Sequence, residues 1–331
     1  MYTFYFTILL VLILIFSSIR KQDKDVLLEK DSTIFIRGIA TIFIVLHHTV
    51  QHTNANNGIV WYFRLIGYIC VAIFFLLSGY GNTFSYRNNK STKIGWLLKR
   101  ILRICITFWF IWIIDLIAIL FINEDKFSII ILIKQALTLT LPYWINWYLK
   151  IQVIAYILFY IAYKLFKKNN DIVLLLLTII SVCIMYILRL ESFWWNTMIC
   201  FGLGSVFAER KEKIIINLKK NKYIKLILSL VAFVLLFILG TRSFELQVIS
   251  SIAFCIFITI LLFVFKFKSK IINFIGNLSL EIYLWHGVLL KLLFKDSKNI
   301  INLNINLLLF FILSILLAFI TNKIVNKIIK S

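Results

Sequence analysis

Proline, acidic side chains and long polar stretches are scarce in this 331-residue chain, which has one proline and only 14 aspartates and glutamates. The longest polar stretch between apolar runs, around residues 209–223, is too short to form a core of its own, so no soluble domain is expected. The five cysteines lie in apolar runs without CxxC or metal-type spacing, which excludes a disulfide framework and gives no indication of a metal site.

Hydrophobic residues, by contrast, make up 62% of the chain, and the mean hydropathy of +0.95 is far above that of a soluble domain. Apolar runs long enough to cross a bilayer recur from end to end. The sequence therefore predicts an all-α, polytopic helical membrane protein with about eleven transmembrane helices, a ten-helix core and one leading helix. These spans are 1–19, 34–50, 65–82, 104–122, 147–166, 172–189, 193–208, 224–239, 246–265, 272–290 and 300–321.

The 36 lysines and arginines predict the orientation of these spans. The first run has no basic n-region and no small-residue cleavage site, so we interpret it as an uncleaved span. If its N-terminus is outside, 27 of the 36 basic residues fall on the cytoplasmic side, as the positive-inside rule requires. We therefore expect a multi-pass protein of the plasma (inner) membrane with an external N-terminus and a cytoplasmic C-terminus. The net charge of +22 then reflects membrane orientation, and we expect membrane lipids and not nucleic acid as partners.

One further apolar segment, residues 128–144, is interrupted by Lys134 and Gln135 and ended by Pro142. As a twelfth span it would place the basic cluster at 209–225 outside, against the positive-inside rule. An external interfacial or re-entrant segment is the better interpretation.

The first candidate site is the pair Arg37 and His48, which lie eleven residues apart in one apolar run. Eleven helical steps return to within about 20° of the same direction and rise about 16 Å. Both side chains therefore project from one face of a span, one near each end. Titratable groups inside a membrane indicate a functional site, and a histidine is a natural general base near neutral pH.

Two further clusters carry polar groups in apolar surroundings. F-F-L-L-S-G-Y-G at 74–81 precedes a basic stretch in which Lys99, Arg100 and Arg103 share the cytoplasmic start of the next span and are suited to phosphate. Alternatively, these cations only enforce orientation. In the tenth span Glu281 needs a partner, for which Arg37, Arg100 and Arg103 are candidates, while His286 approaches the same side of the membrane as His48. Structural pairing is the alternative for each of these groups.

Together, these clusters resemble the acyltransferase-3 family of integral membrane O-acyltransferases. The matching pieces, in order, are Arg-x10-His at Arg37 and His48, F-F-x-x-S-G-[FY] at 74–80, Arg-x-x-Arg at Arg100 and Arg103, and S-x-x-I-Y-L-x-H at 279–286. The resemblance implies a leading helix and loop at 1–30 and a membrane acyltransferase domain at 31–331. Three features depart from the pattern: no proline follows the basic cluster, His47 doubles the motif histidine, and no SGNH-type domain is appended.

Transfer of an acyl group, most often acetyl, from cytosolic acetyl-CoA to a hydroxyl of a surface polysaccharide is the activity that the resemblance implies. It implies that Arg37 and His48 are needed for activity and that Arg100 and Arg103 serve the acyl donor. We add the hypotheses that Lys99 supports the donor phosphates, that Arg37 contacts the donor or Glu281, and that His48 acts as a general base, with His286 near it. A covalent acetyl-histidine relay is an alternative to direct transfer.

On these expectations acyl-CoA is a substrate, no cofactor is permanently bound, and the acceptor is a surface polysaccharide or its lipid-linked precursor. The rival hypothesis is a polysaccharide or lipid-linked sugar transporter or flippase. Against it, the sequence lacks paired Gly/Pro-interrupted helices in corresponding halves. A scaffold protein would poorly explain polar residues inside four spans.

Overall fold

The computed structural model describes residues 2–22, 25–53, 59–88, 93–123, 128–141, 147–294 and 300–330, and these are almost entirely α-helical. The apolar runs form helices because a backbone in lipid must satisfy its own N–H and C=O groups. A short 3₁₀ turn also occurs at Ser192–Trp194. In chain order the helices are α1 (Tyr2–Ser18), α2 (Lys30–Thr53), α3 (Ile59–Tyr62), α4 (Gly67–Arg87), α5 (Lys93–Asn123), α6 (Ile129–Leu137), α7 (Trp147–Leu165), α8 (Asn170–Ile187), α9 (Ile199–Glu209), α10 (Lys211–Lys219), α11 (Lys222–Gly240), α12 (Phe244–Val264), α13 (Lys270–Asn277), α14 (Ser279–Phe294) and α15 (Ile300–Lys330).

Within the described ranges, eight helices are long and apolar enough to cross a membrane: α2, α4, α5, α7, α8, α11, α12 and α15. The remaining three predicted spans correspond to the shorter helices α1 and α9 and to the pair α13–α14. The prediction of an all-α, multi-pass membrane protein is confirmed.

Two helices differ from the predicted spans. The predicted span 272–290 is divided at Leu278, whose N–H bonds the carbonyl of Ile275 and ends α13. Helix α5 begins at Lys93, eleven residues before the predicted start of its span, so Arg100 and Arg103 lie inside a helix. Lysine and arginine are good helix formers and extend their charged ends toward water, so a basic segment continues an apolar helix readily.

In the described part of the interrupted segment, residues 128–141, the only helix is α6, which has nine residues. Such a helix is about 14 Å long and cannot cross a hydrocarbon layer of about 30 Å, which agrees with the rejection of a twelfth span. The indole N–H of Trp109 donates to the carbonyl of Ala136 at 3.0 Å and holds α6 against α5. Pro142 lies outside the described residues.

A small antiparallel sheet, which the sequence analysis did not predict, joins the ends of α1 and α12. Strand β1 (Ile19–Lys21) pairs with β2 (Phe265–Phe267), with Arg20 opposite Lys266. The backbone N–H of Phe267 donates to the hydroxyl of Ser32 at 3.1 Å, which fixes the start of α2. The sheet therefore fixes the position of the first residues of α2 along the axis of the helix bundle.

Helix α2 lies at the centre of the bundle: 67% of its membrane-length window is buried, against 6% for α11. It packs against α4, α13 and α14. Glycines allow its backbone to approach α13 closely, since a Cβ at Gly38 would lie 2.2 Å from the carbonyl oxygen of Ile272. A Cβ at Gly276 would lie 2.1 Å from the carbonyl oxygen of Ile34. These contacts fix the rotation of α2, and hence the directions of Arg37 and His48.

Candidate active site

One face of α2 borders three cavities in succession. Arg37 lines a cavity of about 750 Å³, which we name the basic cavity, and His48 lines one of about 710 Å³, the histidine cavity. Between them lies a small cavity of about 60 Å³, the connecting cavity, lined by Thr41, Ile44 and Val45 of the same helix. Positions 37, 41, 44, 45 and 48 follow helical periodicity, so α2 forms one wall of all three cavities.

The basic cavity is enclosed by α2, α4, α5 and α7 and collects positive charge. None of its lining residues in the described part of the chain is a carboxylate, while five are cations. A cavity lined by one sign of charge concentrates ligands of the opposite sign. The arrangement therefore suits a polyanion such as a phosphorylated molecule. The cations are Lys30, Arg37, Lys99, Arg100 and Arg103.

Arg100 is held in place within this cavity by Ser85 and Trp96. Its guanidinium donates to the hydroxyl of Ser85 at 2.6 Å and lies 5.8 Å from the ring centre of Trp96. The indole N–H of Trp96 donates to the same hydroxyl at 3.1 Å. One serine thus orients a cation and an aromatic ring in the basic cavity, and the remaining guanidinium N–H groups are available for an anion.

Arg37 is largely buried, and its Nε has no hydrogen-bond partner within the described chain. The side chain lies near the ring hydroxyls of Tyr148 and Tyr156, which also line the basic cavity. A buried donor without a partner is expensive, so this position is suited to an acceptor supplied by a ligand.

Arg103 and Glu281 form an ion pair that links α5 to α14. The guanidinium of Arg103 lies 2.6 Å from Oε1 of Glu281, whose side chain is only 1% exposed. Asn322 of α15 donates to the same oxygen at 2.8 Å, and Arg103 also bonds the side chain of Asn326. Of the three arginines considered as partners for Glu281, the structure thus pairs it with Arg103. The ion pair and the two asparagine contacts join α5, α14 and α15 beside the basic cavity.

In the histidine cavity, His48 is oriented by Gln51 one turn along α2. Nδ1 of His48 lies 3.1 Å from the amide oxygen of Gln51. Because that oxygen only accepts hydrogen bonds, Nδ1 carries the proton and Nε2 is the basic nitrogen. The imidazole is therefore prepared to accept a proton at Nε2.

His286 of α14 stacks against His48, with ring centroids 5.2 Å apart and an interplanar angle of 29°. Its Nδ1 lies 3.2 Å from the carbonyl oxygen of Ile282, to which it donates. The ring of Tyr283 lies 5.5 Å from that of His286 and 5.3 Å from that of Tyr148. A continuous series of rings thus leads from the histidine cavity to the basic cavity.

His47 has a different environment, although it also lines the histidine cavity. Its Nδ1 donates to the carbonyl oxygen of Phe63 at 2.8 Å. A Cβ at Gly67 would lie 2.4 Å from its Nε2, so the ring packs directly against the backbone at the start of α4. These contacts give His47 a structural role between α2 and the segment before α4.

The wall of the histidine cavity opposite α2 contains aromatic rings and amides. The rings of Trp147 and Phe193 lie 5.5 Å apart, and the amide of Asn196 donates to that of Gln247 at 2.9 Å. Gly240, Thr241 and Phe244, at the connection between α11 and α12, complete this wall. Flat rings and neighbouring amides are suited to a ligand that presents both C–H faces and hydroxyl groups.

The connecting cavity shares its lining with both larger cavities. Ile44, Val71 and Tyr283 also line the histidine cavity, and the basic cavity shares Phe74, Tyr148, Ser279 and Leu280. A hydrogen-bond chain fixes Tyr148: its hydroxyl donates to Gln152 at 3.1 Å, and the amide of Gln152 donates to Ser78 at 2.9 Å. Ser78 belongs to the F-F-L-L-S-G-Y-G segment, whose role in this site is to position Tyr148.

Comparison with known protein families gives one result. A family model for an acyltransferase domain, acyltransferase 3, matches residues 32–323. The chain belongs to the acyltransferase-3 family. No match was found among the curated proteins or among the solved structures. The protein is thus a membrane acyltransferase, and its two larger cavities are candidate sites for the two substrates of such an enzyme.

The residues that the sequence analysis selected for this acyltransferase fall into two groups. Arg37, Lys99, Arg100 and Arg103 line the basic cavity, whereas His48 and His286 meet at the histidine cavity. Glu281 contacts neither histidine in the described contacts and bonds Arg103 and Asn322. Its catalytic role, and the roles of the other six, stay predictions.

Sequence analysis missed several side chains of the acyltransferase site, including Tyr148, Gln152, Asn196 and Gln247. The sequence does not single out Tyr148, because tryptophan and tyrosine at the end of a span are also typical of a membrane surface. Gln152 could have been selected from the sequence, because an amide inside an apolar run needs a hydrogen-bond partner. Nothing local distinguishes Asn196 and Gln247, whose contact joins positions 51 residues apart.

Proposed function

We propose that this acyltransferase moves an acetyl group from cytosolic acetyl-CoA to a hydroxyl of a cell-surface polysaccharide or its lipid-linked precursor, across the plasma membrane. The proposal includes the orientation expected from the basic loops, with the N-terminus outside and the basic cavity at the cytoplasmic face. It is consistent with the acyltransferase-3 family assignment.

One observation carries the proposal: a basic cavity and a histidine cavity lie at opposite ends of α2, and a third, smaller cavity shares lining residues with both. An enzyme with a charged cytosolic donor and an external acceptor needs two separate binding sites. It also needs a point at which the reactive acyl group of one meets the hydroxyl of the other. The three cavities along α2 are consistent with both requirements.

The donor in this scheme is bound by the basic cavity. Its phosphates contact Arg100 and Lys99, and Arg37 binds the phosphate or carbonyl oxygen nearest to the connecting cavity. Trp96 and Ser85 hold the Arg100 guanidinium in the cavity, where it faces the phosphates. The distance of about 16 Å from Arg37 to His48 along α2 is comparable with the reach of the acyl-pantetheine arm.

Chemistry takes place where the connecting cavity meets the histidine cavity. Nε2 of His48 accepts the proton of the acceptor hydroxyl, and the hydroxyl oxygen forms a C–O bond to the thioester carbonyl carbon. The C–S bond then breaks, and the coenzyme A sulfur leaves with the proton returned by the imidazolium. His286 holds the His48 ring by stacking. The sugar rests on Trp147 and Phe193, near the Asn196–Gln247 amides.

The rival function, transport of a polysaccharide or lipid-linked sugar, requires a path wide enough for a sugar ring. The connecting cavity is bordered by α2, α4, α7 and α14. The match to an acyltransferase domain over residues 32–323 favours acyl transfer over passage of the whole acceptor.

The test is the ester content of purified surface polysaccharide, measured by proton NMR in a deletion strain. The strain is complemented with wild type, His48→Gln or His47→Gln at equal membrane abundance. We expect wild type to restore the O-acetyl signal and His48→Gln to lower it by about 10²–10⁴-fold, the usual contribution of a general base.

His47→Gln is the matched control, because it makes the same substitution at the neighbouring histidine, whose ring packs against the backbone at the start of α4. We expect it to retain most of the ester signal. O-acetyl content that stays the same in the deletion strain, with reduced export of the polymer, would favour the transporter. Wild-type ester content with His48→Gln would exclude the histidine mechanism.

A further inference from the structure

The histidine cavity carries positive charge that the acyl-transfer chemistry does not use. Arg64, in the turn before α4, and Lys291, in the last turn of α14, both line it. None of its lining residues in the described part of the chain is a carboxylate. Glu245, which follows the lining residue Phe244, is exposed and accepts from the hydroxyl of Ser243 at 2.7 Å. The cavity therefore favours a ligand with negative charge.

The turn that carries Arg64 is held against α2. The backbone N–H of Arg64 donates to the carbonyl of Trp61 at 3.0 Å. The ring of its neighbour Phe63 meets the ring of Phe43 on α2 edge to face, with centroids 5.8 Å apart. The half-buried side chain of Arg64 thus starts from a fixed backbone. Its planar guanidinium is suited to two oxygens of a carboxylate or a phosphate.

Lys291 lies beyond His286 on the same helix. Five residues separate them, a rise of about 7.5 Å along α14. Because Glu281 pairs with Arg103 beside the basic cavity, α14 runs from that cavity past His286 to Lys291. The half-buried Lys291 is close enough to Asp115 of α5 for an electrostatic interaction. Asp115 is 6% exposed and lines none of the three cavities, so a ligand meets the cation and not the carboxylate.

The two cations are also exceptions to the charge distribution of the chain. In the orientation that the proposed function includes, 27 of the 36 basic residues are cytoplasmic, and Arg64 and Lys291 are among the other nine. Ionisable side chains at membrane depth are costly and mark ligand or ion pathways. Lys291, within an apolar helix, and Arg64, on the wall of the same cavity, are therefore candidates for binding an anion.

A buried amide oxygen on the opposite wall indicates that the ligand also carries hydroxyl groups. Asn196 lines the histidine cavity and donates to Gln247 through its amide nitrogen. Its Oδ1 is buried and has no hydrogen-bond partner within the described chain. A buried acceptor without a donor is expensive, and a sugar hydroxyl supplies that donor. The cavity thus combines an acceptor for a hydroxyl with cations for an anion.

Resting on the proposed function, we propose that the acceptor is an acidic carbohydrate, whose carboxylate or phosphate binds Arg64 and Lys291 while a hydroxyl faces His48. The anionic group lies on the modified sugar or close to it, since Lys291 is only about 7.5 Å along α14 from the ring that stacks on His48. Two sources provide this chemistry: an acidic substituent of the surface polysaccharide, and the phosphate of a lipid-linked precursor. Arg64 and Lys291 position the acceptor and take no part in proton transfer.

The first test removes the charge from the acceptor. Full-length protein in permeabilised proteoliposomes, with acetyl-CoA, is given polysaccharide purified from the deletion strain. The polysaccharide is mock-treated, carboxyl-reduced with carbodiimide and borohydride, or dephosphorylated with aqueous hydrogen fluoride. A parallel assay uses the lipid-linked precursor of that strain, intact or released from its phosphate by mild acid. We expect one charge-removing treatment to raise the acceptor KM by at least about tenfold, as for a lost hydrogen bond to a charged group. The treatment that does so identifies the source of the anion.

The second test removes the charge from the protein. We expect Arg64→Gln and Lys291→Gln each to raise the KM for the untreated acceptor by at least about tenfold, with kcat and the donor KM close to wild type. With the charge-free acceptor, wild type and variants should have the same KM, because the interaction is already absent. Arg64→Lys and Lys291→Arg should retain most of the affinity. KM does not depend on the fraction of folded protein, so partial misfolding does not alter the comparison.

Arg242→Gln is the matched control. Arg242 is exposed at the connection between α11 and α12 and lines none of the three cavities, so we expect no change in the acceptor KM. Equal wild-type KM values for charged and charge-free acceptors would overturn the inference. So would a wild-type acceptor KM in both Arg64→Gln and Lys291→Gln. Transfer to no acceptor by the wild-type protein would contradict the proposed function and, with it, this inference.

Discussion

Three histidines of similar sequence surroundings have different environments because their Nδ1 atoms have different partners. His47 donates to a backbone carbonyl of the segment before α4, whereas His48 contacts the amide oxygen of an exposed glutamine on its own helix. His286 donates within α14 and stacks on His48. Spacing from Arg37 favours His48 over its neighbour, but the contacts of His47 depend on Phe63 and Gly67, which no pattern in the sequence connects with it.

Arg103 and Glu281 allow a test at the level of single residues of whether Glu281 is catalytic. Glu281 is 1% exposed and Arg103 is 28% exposed. Removal of the arginine therefore leaves a fully buried charge, whereas removal of the glutamate leaves a partly exposed one. Arg103→Gln leaves a buried carboxylate and is expected to destabilise the protein by on the order of 3 kcal/mol. Glu281→Gln leaves a partly hydrated guanidinium and is expected to be milder, at about 1–2 kcal/mol.

Thermal unfolding in detergent, followed for both single variants and the double variant, measures these differences. We expect the double variant to be more stable than Arg103→Gln, because the buried charge is gone. Lys219→Gln is the control, since Lys219 and Asp25 form an exposed pair with little effect on stability. A Glu281→Gln protein that is as stable as wild type but inactive would instead support the catalytic role predicted from the sequence.

Among the helices, α2 was the most predictable. Its apolar run and the eleven-residue spacing fix both its length and its face, and that face does line the three cavities. The break between α13 and α14 was not predictable, because an apolar run with two glycines is equally typical of a continuous span. The break depends on contact with α2, where Gly276 meets the carbonyl of Ile34.

Glycines at this contact provide the second prediction, which concerns helix packing. Gly38→Ala and Gly276→Ala would each place a methyl group about 2 Å from a backbone oxygen, so α2 and α13 must separate. We expect a loss of about 1–3 kcal/mol in stability, as for overpacked cores. Activity per folded molecule should also fall, because Arg37 and His48 turn with α2.

Gly81→Ala is the matched control for these variants. Gly81 lies inside α4, and a Cβ there has no neighbour within 4 Å. Alanine is the better helix former by about 1 kcal/mol, so this variant is expected to be as stable as wild type or more stable. Equal melting temperatures for the Gly38, Gly276 and Gly81 variants would show that α2 and α13 tolerate separation and would remove this explanation of how α2 is oriented.

For the whole molecule, the sequence analysis correctly predicted an all-α, multi-pass membrane protein, because composition and run lengths determine that class. That the chemistry takes place inside the bundle stays a prediction. The sequence analysis could not predict three cavities. Their walls combine α2 and α4 with α7 and α14, of which α7 begins 60 residues after the end of α4 and α14 lies further still along the chain. Such walls depend on which helices become neighbours, and a hydrophobic pattern does not specify neighbours. The domain boundary expected at residue 30 stays a prediction.

The positions of the two larger cavities at opposite ends of α2 lead to a prediction about the side of the membrane from which acyl-CoA binds. If the basic cavity opens to the cytoplasm, acyl-CoA reaches it only from that side, because its phosphates cannot cross a bilayer. Sealed inside-out membrane vesicles are therefore expected to transfer radiolabelled acetyl groups from added acetyl-CoA to polysaccharide inside the vesicle. Right-side-out vesicles should show no transfer until they are permeabilised, after which both preparations should have equal rates.

Vesicles with the His48→Gln variant, which should be inactive in every preparation, control for other acetyltransferases. Transfer by sealed right-side-out vesicles, with none by inside-out vesicles, would mean that the basic cavity faces outward and that the orientation expected from the basic loops is wrong.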